Sequence, residues 1–239
     1  DHMNRYDSMD DYIHTKLNIV RHLKEPGWFV YNKDDELLQP FIHHNRTLPF
    51  SSKVIDQALY FLKGNHIYSS LTKKLLIDIS DISLRGKHNI YNILAAATMA
   101  KSFGIPDSII IQTISKFKPI PHRIEFVDEV GGIQYFNDSK ATNIASTIAG
   151  ITSFDKNIIL ILGGQDKGNT DFSQLIPFLD KRVKSVICNG NSGEKIKKMI
   201  NNNGDTSFSI IFDNNFGDCF QKAVSKAVPG DIILLSPAC

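Results

Sequence analysis

Asn157-Ile158-Ile159-Leu160-Ile161-Leu162-Gly163-Gly164-Gln165-Asp166-Lys167 joins an uninterrupted apolar run to a glycine-rich polar turn. A short apolar run closed by turn residues reads as a strand covered on both faces, as in a parallel sheet. The same pattern extends in both directions. Upstream, residues 124–130, Gly131-Gly132 and residues 133–136 read as a β-hairpin, with a helix over 143–150 behind it. Downstream come a helix (173–179), a strand (183–188), a helix (193–200), a strand (208–212), a helix (216–228) and a strand (231–235). Strands alternating with helices predict an α/β chain with a doubly wound, Rossmann-like parallel sheet. Ligands of such sheets sit beyond the carboxyl ends of the strands. Three polar clusters fall there: residues 138–143, 163–167 and 189–192.

The first half is built differently. Tyr12, Ile13, Lys16, Leu17, Val20 and Leu23 recur at helical steps and predict a helix over 10–24, ended by Pro26-Gly27. Residues 28–31 read as a buried strand. Residues 32–88 are irregular, with short strand-like runs such as 74–79. Residues 89–103 predict a helix closed by Gly104, and 107–117 a second one capped by Asp107. Pro119 and Pro121 mark a linker, which divides the chain into domains 1–119 and 120–239.

Composition narrows the classes. Among 239 residues, 42% are hydrophobic and 22% charged, as in soluble globular proteins. The net charge of +2 gives no electrostatic footprint for nucleic acid or a membrane surface. No apolar run approaches the ~18 residues of a membrane span. Cys188, Cys219 and Cys239 are odd in number and lack metal spacing, so they read as reduced thiols of a cytoplasmic protein.

The chemistry concentrates in Asn137-Asp138-Ser139-Lys140-Ala141-Thr142-Asn143, at the end of a strand-like run and the start of a helix. Helix N-terminal N–H groups point outward and favour anions, and this turn adds an acid, hydroxyls and a lysine to them. An ordinary capped helix start, with Thr142 or Asn143 as N-cap, accounts for the same residues. Arg85-Gly86-Lys87 does not complete a P-loop, because Asp81 and His88 stand where glycine and Ser/Thr are required. Lys167 is either a point charge for a carboxylate or phosphate, or a solvated loop lysine. Tyr12 and Lys16 share a helix face. His2 is either a metal ligand or a surface histidine.

These segments occur in an order that resembles the Mur ligases. Asp1-His2-Met3-Asn4-Arg5-Tyr6, Lys16, Gly86-Lys87-His88-Asn89-Ile90-Tyr91-Asn92, Pro121-His122-Arg123, Asn137 to Asn143, Leu162-Gly163-Gly164-x-Asp166-Lys167 and Ser236-Pro237-Ala238-Cys239 carry the resemblance, which spans essentially the whole chain. The turn Asp138 to Asn143 is similar to that of the D-glutamate-adding branch. The resemblance implies a soluble, monomeric, ATP- and magnesium-dependent ligase of peptidoglycan precursor synthesis. It joins D-glutamate to UDP-N-acetylmuramoyl-L-alanine through an acyl phosphate. Catalytic roles fall on Lys16, His2 and Lys140. His2 and a carbamylated Lys16 are the implied magnesium ligands. Asn89 and Asn92 are implied near the adenine, Arg123 at the phosphates, Asp138 at the ribose, and Thr142 and Lys167 on the D-glutamate side chain.

The same resemblance implies the second half of an ATP-binding central domain followed by most of an amino-acid-binding domain. The family's P-loop is expected upstream of His2 and a further segment after Cys239, so the chain alone is expected to be inactive. Two alternatives stay open: another amino-acid ligase of the Mur and folylpolyglutamate superfamily, or a non-catalytic binding module.

Overall fold

The structure, a computed structural model, describes residues 5–42, 45–53, 57–84, 86–155, 157–166, 170–202 and 206–239. The chain divides into two compact units, Asp1–Lys118 and Pro119–Cys239.

In the first unit, α1 (Met9–Arg21) is capped by Ser8, whose hydroxyl accepts from the Asp11 N–H at 3.1 Å. The helix stops short of Lys24, and the Arg46 guanidinium takes the Leu23 and Gly27 carbonyls beyond its end at 3.1 and 3.4 Å. Two strands, β1 (Phe29–Asn32) and β2 (Thr47–Phe50), pair in parallel. Trp28 was expected in a buried strand; it is 45% exposed and precedes β1, whose buried residue is Tyr31. An antiparallel meander follows: β3 (Tyr60–Lys63), β4 (His66–Ser69) and β5 (Leu75–Asp78). Two helices, α2 (Lys87–Ser102) and α3 (Asp107–Lys116), complete the unit. Its core gathers Phe50, Tyr60, Ile67, Ile77 and Leu94.

Asp107 does not cap α3; Pro106 holds that position. The Asp107 carboxylate instead accepts from the Lys101 ammonium at 2.7 Å and the buried Tyr60 hydroxyl at 2.8 Å. Burial works to raise its pKa, but these two bonds outweigh it and hold the carboxyl below its ordinary range. A tertiary demand, satisfying a buried phenol, displaced the local one.

The second unit runs β6 (Glu125–Val130), β7 (Ile133–Asn137), α4 (Ile144–Thr152), β8 (Ile158–Gly163), α5 (Ile176–Arg182), β9 (Val183–Asn189), α6 (Gly190–Asn201), β10 (Ser209–Asp213), α7 (Phe216–Lys226) and β11 (Ile232–Leu235). The sheet order is β10-β9-β8-β11-β7-β6, parallel except for the hairpin strand β6. Every residue of β8 is buried, as its unbroken apolar run requires. The run splits by pleat. Ile158, Leu160 and Leu162 pack with Ile151 of α4, Leu179 of α5 and Ile196 of α6. Ile159 and Ile161 pack with Cys219 and Ala223 of α7 on the other face. The expected α/β doubly wound sheet is therefore present, with one antiparallel edge. Helix α6 starts earlier than the sequence suggested. Gly190, at φ 67°, turns the chain straight from β9 into it, where a Cβ would stand 2.9 Å from the Gly164 carbonyl oxygen.

Candidate active site

Because β7, β8, β9 and β11 are parallel, their carboxyl ends share one edge of the sheet. Backbone hydrogen bonds join the segments that leave it. The Asp138 N–H donates to Leu235 O at 2.8 Å, Ser236 N–H to Ile161 O at 3.0 Å, Gly163 N–H to Pro237 O at 2.9 Å and Ser192 N–H to Gly164 O at 3.0 Å. The three polar clusters singled out in the sequence thus meet, together with the stretch from Ser236 to Cys239.

Asp138 follows β7 on this edge and is only 5% exposed. One carboxylate oxygen accepts from the Ile124 N–H at 3.2 Å, and the other from the Ser236 hydroxyl at 2.8 Å. Burial pushes the carboxyl up to about 6, against the opposing pull of Ser236, the Ile124 N–H and the Arg123 charge. The carboxylate is turned inward and engaged on both oxygens, and in this structure it ties three segments of its own chain together.

Around it the turn presents its other groups outward. The side chains of Arg123, Lys140 and Thr142 are exposed. Their base is fixed: Lys140 N–H donates to His122 O at 3.1 Å, and Thr142 N–H to Lys140 O at 3.0 Å. Asn143 is the cap of α4, its side chain accepting from the Ser146 N–H at 2.8 Å, and this decides the choice the sequence left open. The Thr142 hydroxyl has no capping duty.

In the next turn, Asp166 accepts from Thr170 Oγ1 and Lys195 Nζ, both at 2.7 Å. The Lys195 ammonium also lies 5.6 Å from the Phe172 ring centroid. Lys167 lies outside the described residues. A groove of about 590 Å³ opens on the α7 side of the sheet. Its walls, including Val127, Tyr135, Phe216 and Phe220, are mainly apolar and offer no anion-binding set.

The first unit holds the remaining candidates. His2 lies outside the described residues. Lys16 is exposed on α1, with its ammonium 5.4 Å from the Tyr12 ring centroid, as the four-residue spacing implied. Asn89 and Asn92 stand in the opening turns of α2, and Asn92 Nδ2 donates to Asn89 Oδ1 at 3.3 Å. Among the described residues, no group of three or more His, Cys, Asp and Glu side chains could hold a metal ion.

Arg123, Asp138, Lys140 and Thr142 are therefore brought together in the second unit, Asn89 and Asn92 in the first. Sequence reasoning gave no role to Thr147, Lys195 or Ser236. The Asp138–Ser236 bond spans 98 positions, which no periodicity encodes.

Residues 1–100 match the Mur ligase middle domain, and residues 122–239 match the Mur ligase glutamate ligase domain. The chain belongs to the Mur ligase family. It is 35% identical over 244 residues to the UDP-N-acetylmuramoylalanine–D-glutamate ligase of Caldicellulosiruptor saccharolyticus, covering 100% of this chain and 53% of that protein. With the same-named ligase of Christiangramia forsetii it shares 33% over 245 residues, 100% of this chain and 54% of the relative. The chain thus spans about half the length of the curated relatives it matches.

Among solved Mur ligases, the UDP-N-acetylmuramate–alanine ligase of Thermotoga maritima superposes with a TM-score of 0.72 at 15% identity, covering 100% of this chain and 54% of that one. The MurF ligase of the same organism, solved with ADP, gives 0.69 at 16% identity, over 97% and 54%. At these identities the likeness establishes the Mur ligase fold. No helix among the described residues is long and apolar enough to cross a membrane.

Proposed function

We propose that this chain serves an ATP-dependent ligase that joins D-glutamate to UDP-N-acetylmuramoyl-L-alanine. The observation that carries the reading is identity of 33–35% running the whole length of the chain to ligases named for that reaction.

The chemistry proceeds in two balanced steps. The substrate carboxylate attacks the γ-phosphorus of ATP, and the bond to the bridging oxygen breaks to release ADP. The D-glutamate amine then attacks the acyl carbon, and inorganic phosphate leaves as the amide forms and the amine loses a proton. Both steps develop negative charge on oxygen, so fixed cations and N–H donors supply the stabilisation. Lys140 is the cation of the turn at 137–143 and Arg123 that of the turn at 121–124; Arg123 serves the phosphates and Lys140 the transferred group. Asn89 and Asn92 suit an adenine edge, since an amide both donates and accepts. Thr142 and Lys167 offer a hydroxyl and a cation to the side-chain carboxylate of D-glutamate.

Magnesium belongs to the same reading, with His2 and a carbamylated Lys16 as its ligands. The described residues do not assemble a metal centre, so no step is routed through it. Domains 1–119 and 120–239 divide the work into nucleotide and amino-acid handling. The product is a cytoplasmic monomer on this reading.

The test is phosphate release by the full-length gene product, given ATP and UDP-N-acetylmuramoyl-L-alanine and screened across amino acids. D-glutamate alone should drive turnover. Preference for a different amino acid would move the chain to another ligase of the superfamily, and no dependence on any amino acid would leave a binding module.

A further inference from the structure

Ser236 and Thr147 are both fully buried, 89 positions apart, and both bear on the buried Asp138. Ser236 Oγ stands 2.8 Å from Asp138 Oδ2 and 3.1 Å from Thr147 Oγ1. A serine hydroxyl has one proton, and a carboxylate attracts it more strongly than a second hydroxyl does. Ser236 therefore donates to Asp138, which leaves the Thr147 hydroxyl to donate to Ser236, at its Oγ or at its carbonyl oxygen 3.5 Å away. Room for the carboxylate depends on Gly150 of α4, where a Cβ would stand 2.7 Å from Asp138 Oδ2 and 3.4 Å from Ser236 Oγ. A backbone tie runs beside these, since Ala238 N–H donates to Ala141 O at 2.9 Å.

We propose that Asp138, Ser236 and Thr147 form a buried latch that fixes the turn at residues 137–143, making Ser236 and Thr147 positioning residues for Lys140 and Thr142. A buried carboxylate is a costly way to pin a turn. Its use here lies in reach: one group accepts from the segment at 124 and the segment at 236, and through Ser236 it engages α4. Arg123 is the charged group that acts on it from the turn at 121–124. His122 of that turn and Glu125, the first residue of β6, face each other at 3.6 Å. What α4 and the end of β11 present to it, Thr147, Gly150 and Ser236, does not ionise in the working range.

The inference rests on the reading of Lys140 and Thr142 as substrate-facing, and the experiment separates the two. The latch itself is tested without ligand, on this chain, by carbon NMR titration of the Asp138 carboxyl and by amide exchange. Ser236→Ala should raise the Asp138 titration by roughly one to two pH units, the scale of one hydrogen bond to a charged group. Protection should fall at the Ala141 and Ala238 amides and stay unchanged in β8. An unmoved titration, or an equal loss of protection in β8, overturns the latch.

Positioning is tested on the full-length gene product. Thr147→Val keeps the side-chain shape and removes the hydroxyl. It should raise the D-glutamate KM roughly three- to tenfold with the ATP KM unchanged. Thr147→Ser should restore it. An unchanged D-glutamate KM beside a shifted titration overturns the positioning role. An unmutated enzyme that turns over without D-glutamate overturns the functional reading and leaves the titration to judge the latch.

Discussion

Helices α2 and α4 both begin at asparagine-bearing turns, and they are held in opposite ways. At α4 the extended Asn143 caps the helix, and the turn before it rests on the buried Asp138. At α2 the N-cap position is Gly86, at φ 90°, with no capping side chain, and Asn89 and Asn92 pair with each other instead. In the second unit, polar residues are consumed in holding the turn, so that Lys140 and Thr142 extend from a fixed base. In the first, the two asparagines of the opening turns hydrogen-bond to one another, and Asn92 is exposed. A pre-built site and one completed by its ligand should respond differently to substitution, and each test below opposes one to the other.

The largest effect is expected in the first unit, at Lys16. Its ammonium rests over the Tyr12 ring, with no carboxylate partner within the described residues' ion pairs. If Lys16 gains its role only in the assembled, carbamylated enzyme, Lys16→Ala should lower kcat of the full-length gene product by roughly 10²–10³-fold, the scale of removing one charge-stabilising group. It should leave the thermal unfolding of this chain unchanged. A small added carboxylic acid should restore part of the turnover, and Lys16→Arg should be no better than alanine, because its fixed positive charge cannot be carbamylated. Near-normal turnover with arginine would remove Lys16 from the chemistry.

Asp138 gives the converse case, a group whose substitution changes stability as well as activity. Its carboxyl is raised from the ordinary 3.8 to about 6, so the folded chain binds the proton more tightly than the unfolded one. The stability from this group is complete below the unfolded value and lost as pH rises through about 6. Asp138→Asn does not ionise there. Relative to the parent, its unfolding free energy should climb between pH 4 and 6.5, by up to about 3 kcal/mol. Urea unfolding across that range measures the slope. Parallel curves for the two proteins would mean that the carboxylate is solvated, and the contrast between the helix starts would weaken.

The regular part of this architecture was legible in the sequence because local rules governed it. The unbroken run from Ile158 to Leu162 forces burial on both faces, and Gly131-Gly132 sits between β6 and β7 where a tight turn demands it. Tertiary demands account for the misses. Asp107 was claimed by a buried phenol and a lysine rather than by its helix. Trp28 fell outside its strand. At the site, the residue types of the turn were readable, whereas the inward rotation of Asp138 depends on Ser236, and only the return of β11 beside β7 and β8 brings that hydroxyl into reach.

Substrate dependence sharpens the contrast at the next scale down. Lys167→Ala in the full-length gene product should raise the D-glutamate KM roughly ten- to hundredfold, from loss of a charge-assisted hydrogen bond of about 1.5–3 kcal/mol. The ATP KM should hardly move. Asn92→Ala should do the reverse and more weakly, since a neutral hydrogen bond contributes only about 0.5–1.5 kcal/mol. Equal effects on both substrates would count against assigning Lys167 to the amino acid.

The smallest effect separates the two helix starts as structures, without reference to catalysis. Asn143→Ala deletes the acceptor of the Ser146 N–H at the start of α4. An N-cap of this kind contributes about 1 kcal/mol, which lowers Tm by roughly 4 °C in a unit of this size. Asn89→Ala in α2 removes no cap and should stay within about 0.5 kcal/mol. The chain's only tryptophan, Trp28, lies in the first unit, so its fluorescence follows that unit's unfolding. Asn143→Ala should therefore leave the fluorescence transition in place while amide protection in α4 falls about fivefold, the equivalent of that energy. Should Asn89→Ala prove the more damaging of the two, α2 would be the helix that depends on its asparagine, and the assignment of pre-built and ligand-completed ends would have to be exchanged.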